Sequence, residues 1–367
     1  MKELQEILGK ISQFASGEKA ILATVVDVKG SGYRRPGARM LIDANGYSIG
    51  TVSGGCLEAD VLERAVKVLE TDVATVITYD TTADENSVFG LSMGCRGIVR
   101  ILLESVTGAS DFVFHAADNL KERMTFAVGT LIETTQPDLP IGGRLFFDGS
   151  GVAFSDFDLA KMWEINNAVR RAFADQTTRL ETFDFGAMFI EVVKPPLNLL
   201  LFGAGFDALP LVRLAKELGW RVTTIDHRAA YNNAERIPAA DEIIVSNSED
   251  LEENSFNDEN SVAVILTHNY ERDRNILRRL LHSKCLYIGA LGPRKRTEKL
   301  LEEIGETFSD QQLKRLYAPV GLDIGADTPE TIALAVVAEI SAALSGRNGG
   351  FLRERAGSIY NSEPATR

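Results

Sequence analysis

The run Leu199-Leu200-Leu201-Phe202 breaks into Gly203-Ala204-Gly205-Phe206-Asp207-Ala208. It then re-enters an apolar pattern at helical spacing through Leu209, Leu211, Val212, Leu214 and Leu218. Few folds accommodate a buried strand that turns so abruptly into a helix. Gly203 suits the tight turn, Gly205 removes a Cβ that would keep backbone N–H groups from a phosphate, and Ala208 lets the helix lie close to the sheet. The helix N-terminus adds partial positive charge for an anion. A second apolar run ends at Asp226, about twenty residues after Gly205, where a ribose-binding acid belongs in a dinucleotide fingerprint. Arg228 follows, and a guanidinium there suits a phosphate near that ribose.

The runs Asp241–Val245, Val262–Thr267 and Cys285–Ala290 are rich in Val, Ile and Leu without strict alternation. Strands of that kind are buried on both faces, as in a parallel sheet flanked by helices. The C-terminal half therefore reads as a doubly wound α/β domain. Ligands bind such sheets at the carboxyl ends of the strands. That rule singles out His268 after the fourth strand, and Gly289, Gly292 and Arg294, with Lys295 and Arg296, after the fifth. Gly321 and Gly325 belong to a further glycine-spaced loop, for which close approach of a ligand or of another backbone is the expected reason. Asp327 and Glu330, with Pro329 between them, predict a capping box at the helix that follows.

Lys194-Pro195-Pro196 interrupts the pattern, since two prolines remove two backbone donors and favour an extended linker. A chain of 367 residues is long enough for two domains, and the boundary is expected here, giving 1–194 and 195–367. The first half predicts an α/β domain with a mixed sheet. It has an amphipathic helix over 3–15, a strand over 20–28, a hairpin turning at Asn45-Gly46, a helix over 57–70 and strands over 74–79 and 97–103. More strands are expected between 124 and 193, with a helix near 158–172. No internal repeat is evident, and residues 106–194 offer no motif.

Three loops of this half carry chemistry. Gly30 to Arg39 combines three glycines with Arg34, Arg35 and Arg39, so freed amides and guanidinium forks suit a phosphate or a pterin edge. Ser53-Gly54-Gly55-Cys56 runs into a helix, placing Cys56 near an N-terminus whose dipole favours negative sulfur able to attack, exchange or hold a soft metal. Cys95 sits in a second glycine loop, Gly90 to Gly97. Cys285 begins an apolar run and reads as core. Two lone cysteines do not close a structural zinc site.

A formal charge of −13 argues against sequence-independent nucleic-acid binding. Three cysteines build no disulfide framework, which points to a reducing cytosol and a cytoplasmic protein. The N-terminus lacks the apolar core of a signal peptide, and no uncharged apolar run reaches the roughly 18 residues of a membrane span.

GSGYRRPGARMLI and GTVSGGCLEADV resemble the N-terminal signature of the XdhC/CoxI family. LLLFGAGFDALPLV, THNYERD, YIGALGPRKR and APVGLDIGADTPETIALAVVAEI resemble its Rossmann-like domain. The resemblance covers roughly 20–105 and 198–345. Around Cys95 the Gly-Cys-x-Gly core is kept, with Arg96 where the family has a small or amide residue. The resemblance implies an accessory factor, not an enzyme with turnover. Such a factor binds the molybdenum cofactor transiently, protects its sulfurated form and inserts it into an apo molybdenum hydroxylase such as xanthine dehydrogenase. It implies Cys56 and Cys95 as thiols near the molybdenum or its sulfido group, a homodimer, and a cysteine desulfurase as a further partner. Beside it stand two other readings of the Gly-x-Gly-x-x-Ala loop: an NAD(P)-dependent oxidoreductase with His268 as its acid–base group, and a nucleotide-sensing regulator.

Overall fold

The computed structural model describes residues 1–30, 32–80, 97–158, 163–247, 250, 256 and 258–355. The chain divides into two compact units, Met1–Pro195 and Pro196–Arg367.

The first unit opens with α1 (Lys2–Ile11), β1 (Lys19–Gly30), β2 (Arg39–Asp43), β3 (Ser48–Gly50), α2 (Glu58–Thr71), β4 (Thr75–Asp80) and β5 (Gly97–Thr107). The same order then recurs as α3 (Asp111–Lys121), β6 (Phe126–Thr134), β7 (Arg144–Phe147), β8 (Val152–Ser155), α4 (Trp163–Ala174), β9 (Arg179–Phe183) and β10 (Gly186–Val193). The two sheets have corresponding strand orders, β3-β2-β1-β5-β4 and β8-β7-β6-β10-β9. The register corresponds as well. Thr24 pairs with Arg39 and Leu22 with Glu104 in the first sheet; Thr130 pairs with Arg144 and Val128 with Glu191 in the second. Each long strand carries a bulge at the same place, Val26 in β1 and Ile132 in β6.

The expectations of no repeat, and of no motif in 106–194, are thus corrected: the unit is a tandem duplication. Gly37-Ala38-Arg39-Met40-Leu41-Ile42-Asp43 and Gly142-Gly143-Arg144-Leu145-Phe146-Phe147-Asp148 are its clearest sequence trace. Most other matched positions share burial and not identity. The expectation of a mixed sheet is corrected too. The strand pairs of this unit are antiparallel: β1, β2 and β3, like β6, β7 and β8, follow one another as neighbours, and β5 and β10 return alongside β1 and β6 after the intervening helix and edge strand.

Packing repeats the duplication. Val61, Ala65 and Val68 of α2 cover one face of the first sheet over Ile21, Val25, Met40 and Leu103. Ile165, Val169 and Ala172 of α4 cover the second over Ala127, Leu131, Leu145 and Ile190. The opposite faces share a core with α1 and α3, in which Leu4, Ile7 and Ile11 meet Val113, Ala116, Phe126 and Phe146.

The second unit runs β11 (Asn198–Phe202), α5 (Ala208–Glu217), β12 (Arg221–Asp226), β13 (Glu242–Val245), β14 (Ser261–Ile265), α6 (Tyr270–His282), β15 (Tyr287–Ala290), α7 (Arg294–Ile304), α8 (Asp310–Leu313), β16 (Leu316–Tyr317) and α9 (Pro329–Leu344). Its sheet is parallel throughout, in the order β13-β12-β11-β14-β15-β16. This is the doubly wound arrangement, whose order reverses beside β11 and leaves a crevice there. β16, only two residues long, leaves no apolar run to read. The cap of α9 is Thr328 with Thr331, not Asp327 with Glu330, and Pro329 fills the first helical position. Cys285 is buried, and burial pushes its thiol up. Among the described residues no helix is long and apolar enough to cross a membrane.

Candidate functional site

Antiparallel register gathers the loops of the first repeat at one end of its sheet. Gly97 pairs with Gly30, Ile98 with Asp80 and Gly50 with Met40. The loop between β1 and β2, the loop between β3 and α2, and both anchors of segment 81–96 therefore share that end. Cys95 lies outside the described residues.

The Cys56 loop is built on a polar interior. Thr51 Oγ1 and Ser53 Oγ donate to the Glu58 carboxylate, and the Ser53 amide donates to it at 2.8 Å. Ser53 Oγ in turn accepts from the amides of Gly55 at 3.2 Å and Leu57 at 3.1 Å, while the Cys56 thiol lies 3.5 Å from it. Burial works to raise the Glu58 carboxyl, but these donors hold it below its ordinary value. With its polar groups turned inward, the loop leaves Gly54, Gly55 and Cys56 exposed. Gly55 has φ +106° and open space where a Cβ would stand. Gly54 lies under the exposed ring of Tyr33, which a Cβ at Gly54 would approach to 3.3 Å. The arrangement presents a free thiol, bare glycine backbone and an aromatic face together. That set suits a planar group bearing an anion or a soft metal.

The arginines of the neighbouring loop separate. Arg34 is half-buried against Glu3 of α1, and Arg35 is exposed. Arg39 is corrected as a ligand-binding candidate. It is 5% exposed, and its guanidinium is held by both carboxylate oxygens of Glu191 and by the Gly37 carbonyl. Gly30, at φ +80°, ends β1 and starts the loop.

In the second unit, Gly203 has φ +114°, and a Cβ there would lie 2.5 Å from the Leu266 carbonyl oxygen, so the turn admits only glycine. Gly205 faces the Asp207 carboxylate, which reaches His268 Nε2 at 2.7 Å across the mouth of the loop. His268 itself is exposed and takes φ +55°. Asp226 is buried at the end of β12. Its carboxylate accepts from the Ala204 amide at 2.9 Å and from Arg228 through its amide (2.9 Å), Nε (3.0 Å) and Nη2 (2.7 Å). Burial opposes ionisation there, yet Arg228 and the two amides hold the carboxyl below the usual range. Arg228 also lies over the Tyr231 ring at 4.4 Å. Phe202, Asp226, His227, Arg228, Thr267 and Arg272 line a cavity at these strand ends. Arg228 and Arg272 bring more positive charge to it than Asp226 removes.

Three glycines expected near a ligand have other duties. A Cβ on Gly289 would meet Val320 at 2.5 Å, so this residue is packing under the 320 loop. Gly321, at φ +108°, lies against Ala335 of α9 and donates its amide to Glu339 at 2.9 Å. The close approach foreseen there is to another backbone. Gly292 has φ +123°, and its missing Cβ leaves room for Arg296, which binds the buried Asp273 at 2.7 Å. Arg294 is exposed at the start of α7, and Gly325, at φ +71°, stands in open space. Among the described residues no group of three or more His, Cys, Asp or Glu is placed to hold a metal ion.

Sequence reasoning passed over Tyr33, Glu58, Asp207 and Arg272. The one available signal was Glu58, an acid just after Ser53-Gly54-Gly55-Cys56-Leu57, where a first-turn carboxylate folds back on the loop. Tyr33 carries no such signal, because its place over Gly54 depends on two loops meeting.

Fold and site together define a class: a duplicated antiparallel unit with a thiol on a glycine loop, joined to a doubly wound unit with a basic crevice. The chain belongs to the XdhC and CoxI family. The family's own profile matches residues 14–80, and that of the XdhC Rossmann domain matches residues 199–340. A Bacillus subtilis protein described as a probable subunit of xanthine dehydrogenase is 34% identical over 326 residues, covering 88% of this chain and 92% of its own. The Escherichia coli molybdenum cofactor insertion chaperone PaoD is 23% identical over 334 residues, covering 90% and 85%. A crystal structure from Bacillus halodurans, described as a xanthine dehydrogenase, superimposes with a TM-score of 0.78 at 29% identity, covering 95% of this chain and 97% of that one.

Proposed function

We propose that the protein is an accessory factor that binds the molybdenum cofactor, protects its sulfurated form and delivers it to a molybdenum hydroxylase such as xanthine dehydrogenase. The observation that carries this reading is the exposed Cys56 thiol on the Gly54-Gly55 loop, held out by Ser53 and Glu58. The cargo is a pterin with a phosphate, a dithiolene and a soft-ligand-accepting metal. A thiol suits the metal or its sulfido group, the Tyr33 ring and glycine backbone suit the pterin plane, and Arg34 and Arg35 suit its anionic edges. The fit is a holding site. The relatives' names, one of them a probable part of xanthine dehydrogenase and the other a cofactor insertion chaperone, support the same reading. Cys95 joins the site as a second thiol in this proposal, and a cysteine desulfurase is the natural sulfur donor.

In the second unit the basic crevice favours a phosphate over a nucleotide ribose. A ribose diol needs a carboxylate with free lone pairs, and Asp226 spends its own on Arg228 and two amides. NAD(P) is therefore the weaker reading of this turn.

The test is to purify the full chain from cells making the cofactor and to measure bound molybdenum, pterin and nucleotide together, wild type against Cys56→Ser. The reading expects molybdenum and pterin with the wild type, their loss with Cys56→Ser and no stoichiometric nucleotide. Undiminished activation of an apo molybdenum hydroxylase by Cys56→Ser would overturn it.

A further inference from the structure

We propose that Glu191, which lies in the second repeat, is a positioning residue for the Cys56 site of the first. The inference rests on the functional reading above for what the site holds, but not for how the site is held.

Glu191 stands in β10, buried, and its carboxylate grips both terminal nitrogens of Arg39. Arg39 Nη1 also donates to the Gly37 carbonyl at 2.9 Å. Gly37 has φ +94°, and a Cβ there would come within 2.7 Å of Glu191 Oε1, so the carboxylate is packed directly against the base of the loop. The base is closed further by Gly37 N–H to Val25 O at 2.8 Å and Ala38 N–H to Arg35 O at 3.0 Å. From outside, Glu3 of α1 takes the Arg39 amide at 2.7 Å and pairs with Arg34. The loop fastened in this way carries Tyr33, whose ring lies on Gly54, two residues before the thiol. Rigidity at the base of a loop sets the precision at its tip.

The duplication supplies its own control. Glu104 and Arg144 form the corresponding pair, equally enclosed, with side-chain exposures of 6% and 13% against 11% and 6% for Glu191 and Arg39. The loop based on Arg144 carries no cysteine, since the three cysteines of the chain are Cys56, Cys95 and Cys285. A purely structural role would make the two glutamates equivalent. A positioning role separates them.

The experiment compares Glu191→Gln and Glu104→Gln in the full chain. It reads melting temperature, the rate at which iodoacetamide alkylates Cys56 (followed on its own peptide by mass spectrometry), and molybdenum and pterin retained per chain. Both variants are expected to melt earlier by similar amounts. Only Glu191→Gln is expected to speed Cys56 alkylation several-fold and to lower retained molybdenum about tenfold, the scale seen when residues behind a binding group are changed. An unchanged Cys56 alkylation rate in Glu191→Gln, or an equal change in Glu104→Gln, would overturn the proposal. Should Glu191→Gln not fold, Arg39→Gln with Glu191→Gln leaves no buried unpaired charge and carries the same comparison. If alkylation responds as expected while Cys56→Ser still retains the cofactor, Glu191 keeps its positioning role and the functional reading falls.

Discussion

Arg39 and Arg144 occupy the same place in the two repeats of the N-terminal unit, and each is bound by the other repeat's glutamate, Arg39 by Glu191 and Arg144 by Glu104. Phe112 lies between them, with the Arg39 guanidinium 5.7 Å and that of Arg144 4.6 Å from its ring centre. Two buried ion pairs thus cross from sheet to sheet. Such pairs stabilise little in sum, but breaking one strands a charge in the interior.

Arg39→Met is accordingly expected to destabilise the N-terminal unit by about 3–5 kcal/mol, because Glu191 is left buried without its partner. Arg39→Met with Glu191→Leu should recover most of that loss. Urea denaturation of the single and double variants checks both statements; a double variant no more stable than the single one would contradict the buried-charge explanation.

Gly203→Ala and Gly205→Ala should part company. At Gly203 the new methyl meets the Leu266 carbonyl at 2.5 Å from a backbone at φ +114°, while at Gly205 the nearest atom is the movable Asp207 carboxylate. A cost of about 1–3 kcal/mol is expected for the strained backbone alone at Gly203, and well below that at Gly205. Thermal unfolding followed in the C-terminal unit distinguishes them.

Glu58 gives a pH signature. Its carboxyl titrates below the ordinary value of 4.5 in the fold, so its contribution is complete above that value and is lost as pH falls through the lowered one. Glu58→Gln should therefore be destabilised relative to wild type by about 1–2 kcal/mol at neutral pH, the scale of charge-assisted hydrogen bonds. The gap should close as pH drops below 4.5. Stability curves at pH 7 and in acid measure the two gaps; a gap that widens in acid would contradict the assignment.

Arg228→Ala releases the two side-chain bonds made to Asp226, those from Nε and Nη2, keeps the one from the backbone amide, and leaves a carboxylate with lone pairs free to take ribose hydroxyls. Titration with NAD should then show tighter binding by the variant than by wild type, and inorganic phosphate should bind more weakly. The opposite order would return the ribose reading to Asp226.

The legibility of this fold varied along the chain for physical reasons. The doubly wound unit showed itself because Gly203 performs a task no other residue can, and because strands buried on both faces cannot hide among polar residues. The duplication was harder to see. Met40 answers to Leu145, Ile42 to Phe147, and Val26 to Ile132, so only apolar character is shared, and a sheet core tolerates such exchange. Of the site, the Gly54-Gly55-Cys56 segment was readable because glycine and cysteine act through their own backbone and sulfur. Arg39 was misread because its partner, Glu191, is far away in the chain. Gly289 was misread for a related reason: a glycine that clears space for Val320 looks the same in sequence as one that clears space for a ligand. At Gly321 both explanations stood open for that reason, and the neighbour is the backbone at Ala335.

The crossed arginine–glutamate pairs have one more implication. In an isologous interface, what one copy offers the second, the second offers back. Either repeat taken alone displays both halves of that bargain, Arg39 with Glu104 or Arg144 with Glu191. Two copies of a single repeat would therefore present matching charges to each other. The N-terminal unit has the grammar of a twofold assembly written along one polypeptide. Fusion releases such an assembly from symmetry, so that one set of loops can hold a thiol while its counterpart is free to become something else.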